Sequence, residues 1–271
     1  MVYPAVPMLS SVPLSTMRGA NATTSPTGIM IPLYTYPTDG TWAAVIQAKR
    51  AHPDVPFAAI INPASGPGTS RDPSYAEGIK ELQNAGVVVL GYVPTGYATG
   101  SDSAIGNLKA QVKAYDRWYE VDGIFFDEMS GVVGHEGYYS TLDSFVKSLG
   151  ENFTVGNPAA TVPAGHIGTL DTLVIYENSG LPDLSKFAYS GYDKSNFAIV
   201  AYGMASVARS FVARISGVAG WVYLTDGTLP NPYDSLPGYF EEEVAMLSQV
   251  APAKPKVAAD PTGDLGDLDE K

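Results

Sequence analysis

The apolar positions of this chain fall into eight short runs, at residues 28–34, 56–62, 87–93, 123–128, 153–157, 172–177, 197–202 and 220–225. Each run is apolar on both faces, as strands covered on both sides must be. Between the runs the period changes. Trp42, Val45, Ile46 and Lys49 fall at i, i+3, i+4 and i+7, and Tyr75, Ile79 and Leu82 repeat that spacing. The longest helical stretch spans 102–119, with Ile105, Leu108, Val112, Tyr115 and Tyr119 on one side. Further helices are predicted at 136–149, 204–215 and 237–248, with short pieces near 163–169 and 182–187. Gly86 follows Ala85 where a helix end needs a residue tolerant of positive φ.

Strand and helix alternating eight times is the pattern of a closed parallel barrel, an α/β single (β/α)8 TIM barrel over about residues 28–250. A doubly wound open sheet would need fewer strands or a dinucleotide-type glycine loop, and no G-x-G-x-x-G stands between a strand and a helix. Residues 1–27, rich in Pro, Ser and Thr, read as a flexible N-terminal arm. Pro4, Pro7 and Pro13 break the apolar stretch that a secretory signal would need. The Ala-, Pro-, Asp- and Gly-rich residues 251–271 read as a disordered acidic tail. No run is long enough to span a membrane.

Charge narrows the ligand. A net charge of −12 disfavours nucleic acid and anionic membranes and suits a neutral or cationic partner. The absence of cysteine excludes disulfides, thiolate catalysis and cysteine-ligated zinc. Tyrosine, at 17 residues against 3 Trp, suits polyhydroxylated ligands, since its ring stacks while its hydroxyl bonds; it is equally good strand and rim material.

In such a barrel the C-terminal strand ends converge on one mouth. They read Tyr34 and Thr35, Asn62, Tyr92, Asp127 and Glu128, Asn157, Tyr176 and Glu177, Tyr202, then Tyr223, Thr225 and Asp226. Acids, amides and phenols without Lys, Arg, His or Cys suit a sugar better than a phosphate or carboxylate. Cleaving a glycosidic bond takes two carboxyl groups, one to protonate the leaving oxygen and one as nucleophile or base. Asp127 or Glu128 on strand four and Glu177 on strand six can supply them, the roles among the three left open. Tyr34, Asn62, Tyr92, Asn157, Tyr202 and Tyr223 are the candidate substrate-binding residues. Adjacent strand residues point to opposite faces, so Asp127 and Glu128 should not serve the same atom. A divalent-metal site of the three acids is the less favoured reading; no cofactor is expected. Asp226 before Gly227 reads as a turn, and the Pro- and Gly-rich stretch 62–68 as a tight turn that could present Asn62. His135 and His166 lie in mouth loops, His52 on the far side. No Gly-x-Ser-x-Gly occurs.

Four stretches in order, GIMIPLYTYP from residue 28, IINPASGPG from 60, GYVPTGY from 91 and WYEVDGIFFDEM from 118, closely resemble the spherulation-specific family 4 (spherulin-4-like) proteins. That resemblance, over about residues 28–250, implies a (β/α)8 barrel related to glycoside hydrolase family 135. It implies endo-acting hydrolysis of galactosaminogalactan, a partly deacetylated and so partly cationic polymer of α-1,4-linked galactose and N-acetylgalactosamine. The family's acidic trio corresponds to Asp127, Glu128 and Glu177. The stretch from Asp122 also partly resembles the D-G-x-D-x-D-x-E signature of family 18 chitinases. Phe125 and Met129 replace two of that signature's acids, which argues against that chemistry. The expectation is a secreted or cell-surface monomer acting on a polysaccharide. A non-catalytic glycan-binding barrel and a structural or stress protein are the alternatives.

Overall fold

A computed structural model describes residues 25–187 and 189–250. The tail over 251–271, and all of the N-terminal arm but its last three residues, lie outside the described residues. Eight parallel strands close a barrel in chain order: β1 (Gly28–Leu33), β2 (Phe57–Ile61), β3 (Val88–Pro94), β4 (Gly123–Asp127), β5 (Phe153–Gly156), β6 (Thr172–Ser179), β7 (Phe197–Tyr202) and β8 (Trp221–Leu224). Every side chain of β1 and β2 is buried, because one face fills the barrel and the other lies beneath helices. Six α-helices surround it: α1 (Thr41–Ala51), α2 (Pro73–Asn84), α3 (Ile105–Tyr119), α4 (Glu136–Ser148), α5 (Arg209–Ile215) and α6 (Phe240–Val250).

The barrel departs from eight equal repeats after β5 and β6. There the short predicted pieces are single 3-10 turns, at Ala164–His166 and Leu184–Phe187. The helix predicted over 204–215 starts only at Arg209, since Ala208 before it is still extended and no side chain caps the start. At Gly123 a Cβ would collide with the Phe153 carbonyl of β5, so only glycine lets the two strands approach there.

β8 closes onto β1 by a short pairing, Gly28 with Trp221 and Ile29 with Val222. Farther along, the Leu224 N–H is taken by a side chain: Glu243 of α6 accepts it at Oε1, 3.0 Å away. Glu243 is fully buried, its Oε2 has no hydrogen-bond partner, and burial raises its pKa from 4.5 to about 8. Glu151, also buried with both oxygens unpartnered, is raised to about 8 by burial and then by Asp116 and Asp122.

Each of these carboxyls holds its proton in the folded state where the unfolded chain has lost it. The stability they contribute is therefore full below about pH 4.5 and is lost as pH rises toward about 8. Glu243→Gln keeps the acceptor for Leu224 and removes the titration. Its unfolding free energy should exceed that of the parent by on the order of a few kcal/mol at pH 8, and the gap should close near pH 4.5. Denaturant melts across that range check this; a gap independent of pH would contradict it.

Candidate active site

Strand order decides the site. β5 lies between β4 and β6, so the residue leaving its end stands between the acids of its two neighbours. That residue is Asn157. Its Nδ2 donates to Asp127 Oδ1 (2.9 Å) and to Glu177 Oε2 (2.5 Å), and its Oδ1 accepts from the Ala159 N–H (2.9 Å). Its backbone is fixed as well, donating to the Phe126 carbonyl and accepting from the Met129 N–H. Both acids thus answer to one nitrogen, and the two bond lengths together hold their nearest oxygens within about 5.4 Å of each other.

Glu177 reaches this position through an irregularity. Along β6 the pairing with β7 runs Val174 to Ala198, then Tyr176 to Ile199 and Glu177 to Val200, one extra residue being accommodated at a bulge. The bulge puts Glu177 on the same face as Val174 although the two are three residues apart, re-aiming the carboxylate. Burial raises the Glu177 pKa, and the nearby Asp127 charge adds to the rise. Hydrogen bonds from Tyr233 and Asn157 oppose it.

Tyrosines complete the site. Tyr92 donates its O–H to Asp127 Oδ2 at 2.7 Å, and Tyr233 donates to Glu177 Oε1 at 2.5 Å. Tyr34 sits edge-on to both rings, with centroids 5.9 Å from Tyr92 and 5.7 Å from Tyr233. Burial, with the neighbouring carboxylates, pushes all three phenols well above their usual range, so each keeps its proton and remains a donor.

Glu128 has different partners, though its charge reaches the Tyr92 phenol. It adopts φ +52°, the left-handed region, and its Oε2 accepts from the Gly96 N–H at 3.1 Å. Its carbonyl accepts from Thr95 Oγ1 and from the Tyr97 N–H, both at 2.8 Å. The loop after β3 is thereby stitched to the end of β4. Among the described residues no three His, Asp or Glu side chains gather closely enough to hold a metal ion.

The remaining predicted residues divide. Tyr202 is half-buried at the end of β7, near enough to Tyr233 to act on its hydroxyl electrostatically. Asn62 spends its Oδ1 on the Gly66 N–H (3.0 Å), holding its own turn, in which Ser65, Gly66 and Gly68 all have positive φ. Tyr223 is 1% exposed and packs beneath Tyr233, so as placed its ring supports the mouth from below rather than lining it. His166, placed by its sequence position in a mouth loop, is buried. It is 0% exposed, 3.6 Å from Glu136 Oε1. His135 opens α4, with Nδ1 2.9 Å from Ser130 Oγ. Tyr233 went unnoticed in the sequence, because it comes from the connection 225–239 and not from a strand end. The length of that connection is its one sequence signal, since long structured loops over a barrel mouth tend to be functional.

Comparison with known proteins adds to this geometry. The family model described as spherulation-specific family 4 matches residues 28–247. Spherulin-4 of Physarum polycephalum is 31% identical over 258 residues, covering 89% of this chain and 76% of that protein. Among solved structures, Sph3 of Aspergillus clavatus in complex with GalNAc matches with a TM-score of 0.72 and 25% identity, over 83% of this chain and 99% of that one. A maltogenic α-amylase of Thermotoga neapolitana matches with a TM-score of 0.52 at 8% identity, over 86% of this chain and 76% of that one, a likeness of fold alone.

The bond from Tyr233 favours the ionised form of Glu177. Tyr233→Phe removes it, so the Glu177 pKa should move upward in that variant. A carbon-13 NMR titration of the side-chain carboxyls reads this directly, and an unmoved or lowered midpoint would refute the assignment.

Proposed function

The chain belongs to spherulation-specific family 4, and from that premise we propose that it is an endo-acting glycoside hydrolase of a hexosamine-containing polysaccharide. The single observation that carries the reading is the Asn157 amide held between Asp127 and Glu177. Two carboxyl groups bridged by a single amide nitrogen favour the closer spacing, roughly 5–5.5 Å, of retaining glycosidases over the roughly 6.5–9.5 Å that leaves room for a water in inverting ones.

The two acids differ in environment, and that difference assigns their roles. Glu177, raised by burial, is the proton donor to the glycosidic oxygen. Asp127 is the second carboxyl of the pair, held by Tyr92 and Asn157, and serves as the nucleophile. It attacks the anomeric carbon as the C–O bond to the leaving sugar breaks. Glu177, now deprotonated, then takes a proton from water as the water's oxygen displaces Asp127, so one water is consumed per bond cleaved. Tyr34, Tyr92 and Tyr202 are the proposed sugar contacts, and Asn157 and Tyr233 position the acids. Glu128 acts on the mouth through the loop it holds.

The substrate class rests on the family and on a relative seen with GalNAc. A galactosaminogalactan-like polymer, partly cationic, also suits a chain of net charge −12. Such a substrate places the enzyme outside the cell or on its surface. No helix among the described residues is long and apolar enough to cross a membrane.

On partly deacetylated galactosaminogalactan the protein should release new reducing ends. Glu177→Gln and Asp127→Asn should each lose about 10²–10⁴-fold in rate while melting as the parent does. Proton NMR of the first products should show the anomeric configuration retained. Polymer binding without any release of reducing ends would replace hydrolysis by the glycan-binding reading, and inverted products would overturn the assignment of Asp127 as nucleophile.

A further inference from the structure

The connection after β3 contains a feature that folding alone does not explain. Gly96, Tyr97 and Ala98 have φ of +54°, +57° for the alanine and +55° for the tyrosine, three consecutive residues in the left-handed region. For a non-glycine residue that conformation costs roughly 1–2 kcal/mol, and it normally occurs at isolated positions. The strain is not offset by burial of the side chain, because Tyr97 is 58% exposed. It is offset by bonds to the end of β4. The Thr95 N–H and Oγ1 both donate to the Asp127 carbonyl at 2.9 Å, Tyr97 N–H donates to the Glu128 carbonyl, and Gly96 N–H donates to the Glu128 carboxylate. A strained backbone is thus held against Asp127 and Glu128 at the end of β4 while its aromatic ring stands in solvent. Backbone strain kept in this way marks a functional position.

We propose that Tyr97 is a stacking platform for a sugar unit of the polymer flanking the scissile bond, a binding subsite distinct from the carboxylate pair. The occupant follows from chemistry and continuity. A pyranose offers a C–H face to an aromatic ring and keeps its hydroxyls for water, which suits an exposed tyrosine on a rim. The loop that carries the ring is bonded to Asp127 and Glu128, so a chain lying across the carboxylates is led toward it. Exposed apolar side chains concentrate on this side of the barrel: of seven large ones among the described residues, Tyr36, Tyr97, Val132, Val133, Leu181 and Leu229 all lie in loops that follow strand ends. This proposal rests on the hydrolase reading for the identity of the polymer.

The test uses the full chain carrying Glu177→Gln, so that binding is read without turnover, titrated with partly deacetylated galactosaminogalactan. Adding Tyr97→Gly removes the ring and relieves the backbone at once. Affinity should fall about tenfold, the size of a lost aromatic stacking contact, while the melting temperature stays level or rises. Tyr97→Phe and Tyr97→Trp should keep affinity within about threefold, as stacking does not need the hydroxyl. Unchanged affinity in Tyr97→Gly, loss in Tyr97→Phe equal to that in Tyr97→Gly, or a melting temperature that falls with affinity would each overturn the platform. Reducing-end release by the parent chain is measured alongside. Its absence with affinity intact would sink the hydrolase reading alone, and absence of any polymer affinity would sink both.

Discussion

The two acids Asp127 and Glu177 meet at the mouth through one amide. Asn157 has two N–H bonds and gives one to each acid, while its carbonyl oxygen is tied to Ala159. Two carboxylates left to themselves at this distance repel, and side chains on strands two positions apart in the barrel have no reason to converge. A donor rooted in the strand between them supplies that reason. Its own backbone is clamped to β4 at Phe126 and Met129, so the spacing of the acids is inherited from the strand ladder and not from flexible side chains. The closed order β4–β5–β6 is therefore a condition of bringing Asp127 and Glu177 together.

The barrel and the mouth were legible in the sequence because both are encoded by period. Strands apolar on both faces can only be sandwiched, and eight of them alternating with helical stretches leave few closures. Asp127, Glu177, Tyr34, Tyr92 and Asn157, read from strand ends, are the side chains that meet. What the period does not encode is the direction of a side chain once the ladder is interrupted. The bulge in β6 turns Glu177 by one position, and nothing in TLVIYEN marks it. Tyr223 has the same composition signal as Tyr92 yet lies beneath the surface. Asn62 bonds within its own turn, where the sequence shows only that a turn exists. Tyr233 arrives from a connection with no period at all, and the short helices predicted after β5 and β6 are single turns.

Strain is distributed as unevenly as chemistry. Six non-glycine residues among those described have positive φ, and five of them, Ser65, Tyr97, Ala98, Glu128 and Ala159, follow strand ends at the mouth. The sixth, Glu120, ends α3 at the other side of the barrel, where a left-handed residue is an ordinary helix stop. Two of the five bond directly to the acid-bearing segments: Ala159 receives the Glu177 N–H on its carbonyl, and Tyr97 donates to Glu128. The rim is thus held in conformations that the isolated loops would not choose, and the barrel beneath supplies the stability that permits it.

The chemical character of the partners leaves in place the upward push that burial gives the Glu177 pKa. An arginine beside Glu177 would stabilise its charge and typically lower its pKa by about 1–3 units, making it a poor acid. Phenol and amide donors satisfy buried carboxylate oxygens with a weaker pull and bring no charge of their own. Around Glu177 the donors are Tyr233 and Asn157, and burial raises its pKa, with the nearby Asp127 pushing the same way. Tyrosine also resists losing its proton here, since Tyr92 and Tyr233 are themselves raised by the acids they serve. Each phenol stays a donor because burial and then a nearby carboxylate raise its pKa, and the donors to Glu177 are neutral. The tyrosine richness that first read as rim material supplies, at these positions, one neutral donor to each of two close carboxyl groups.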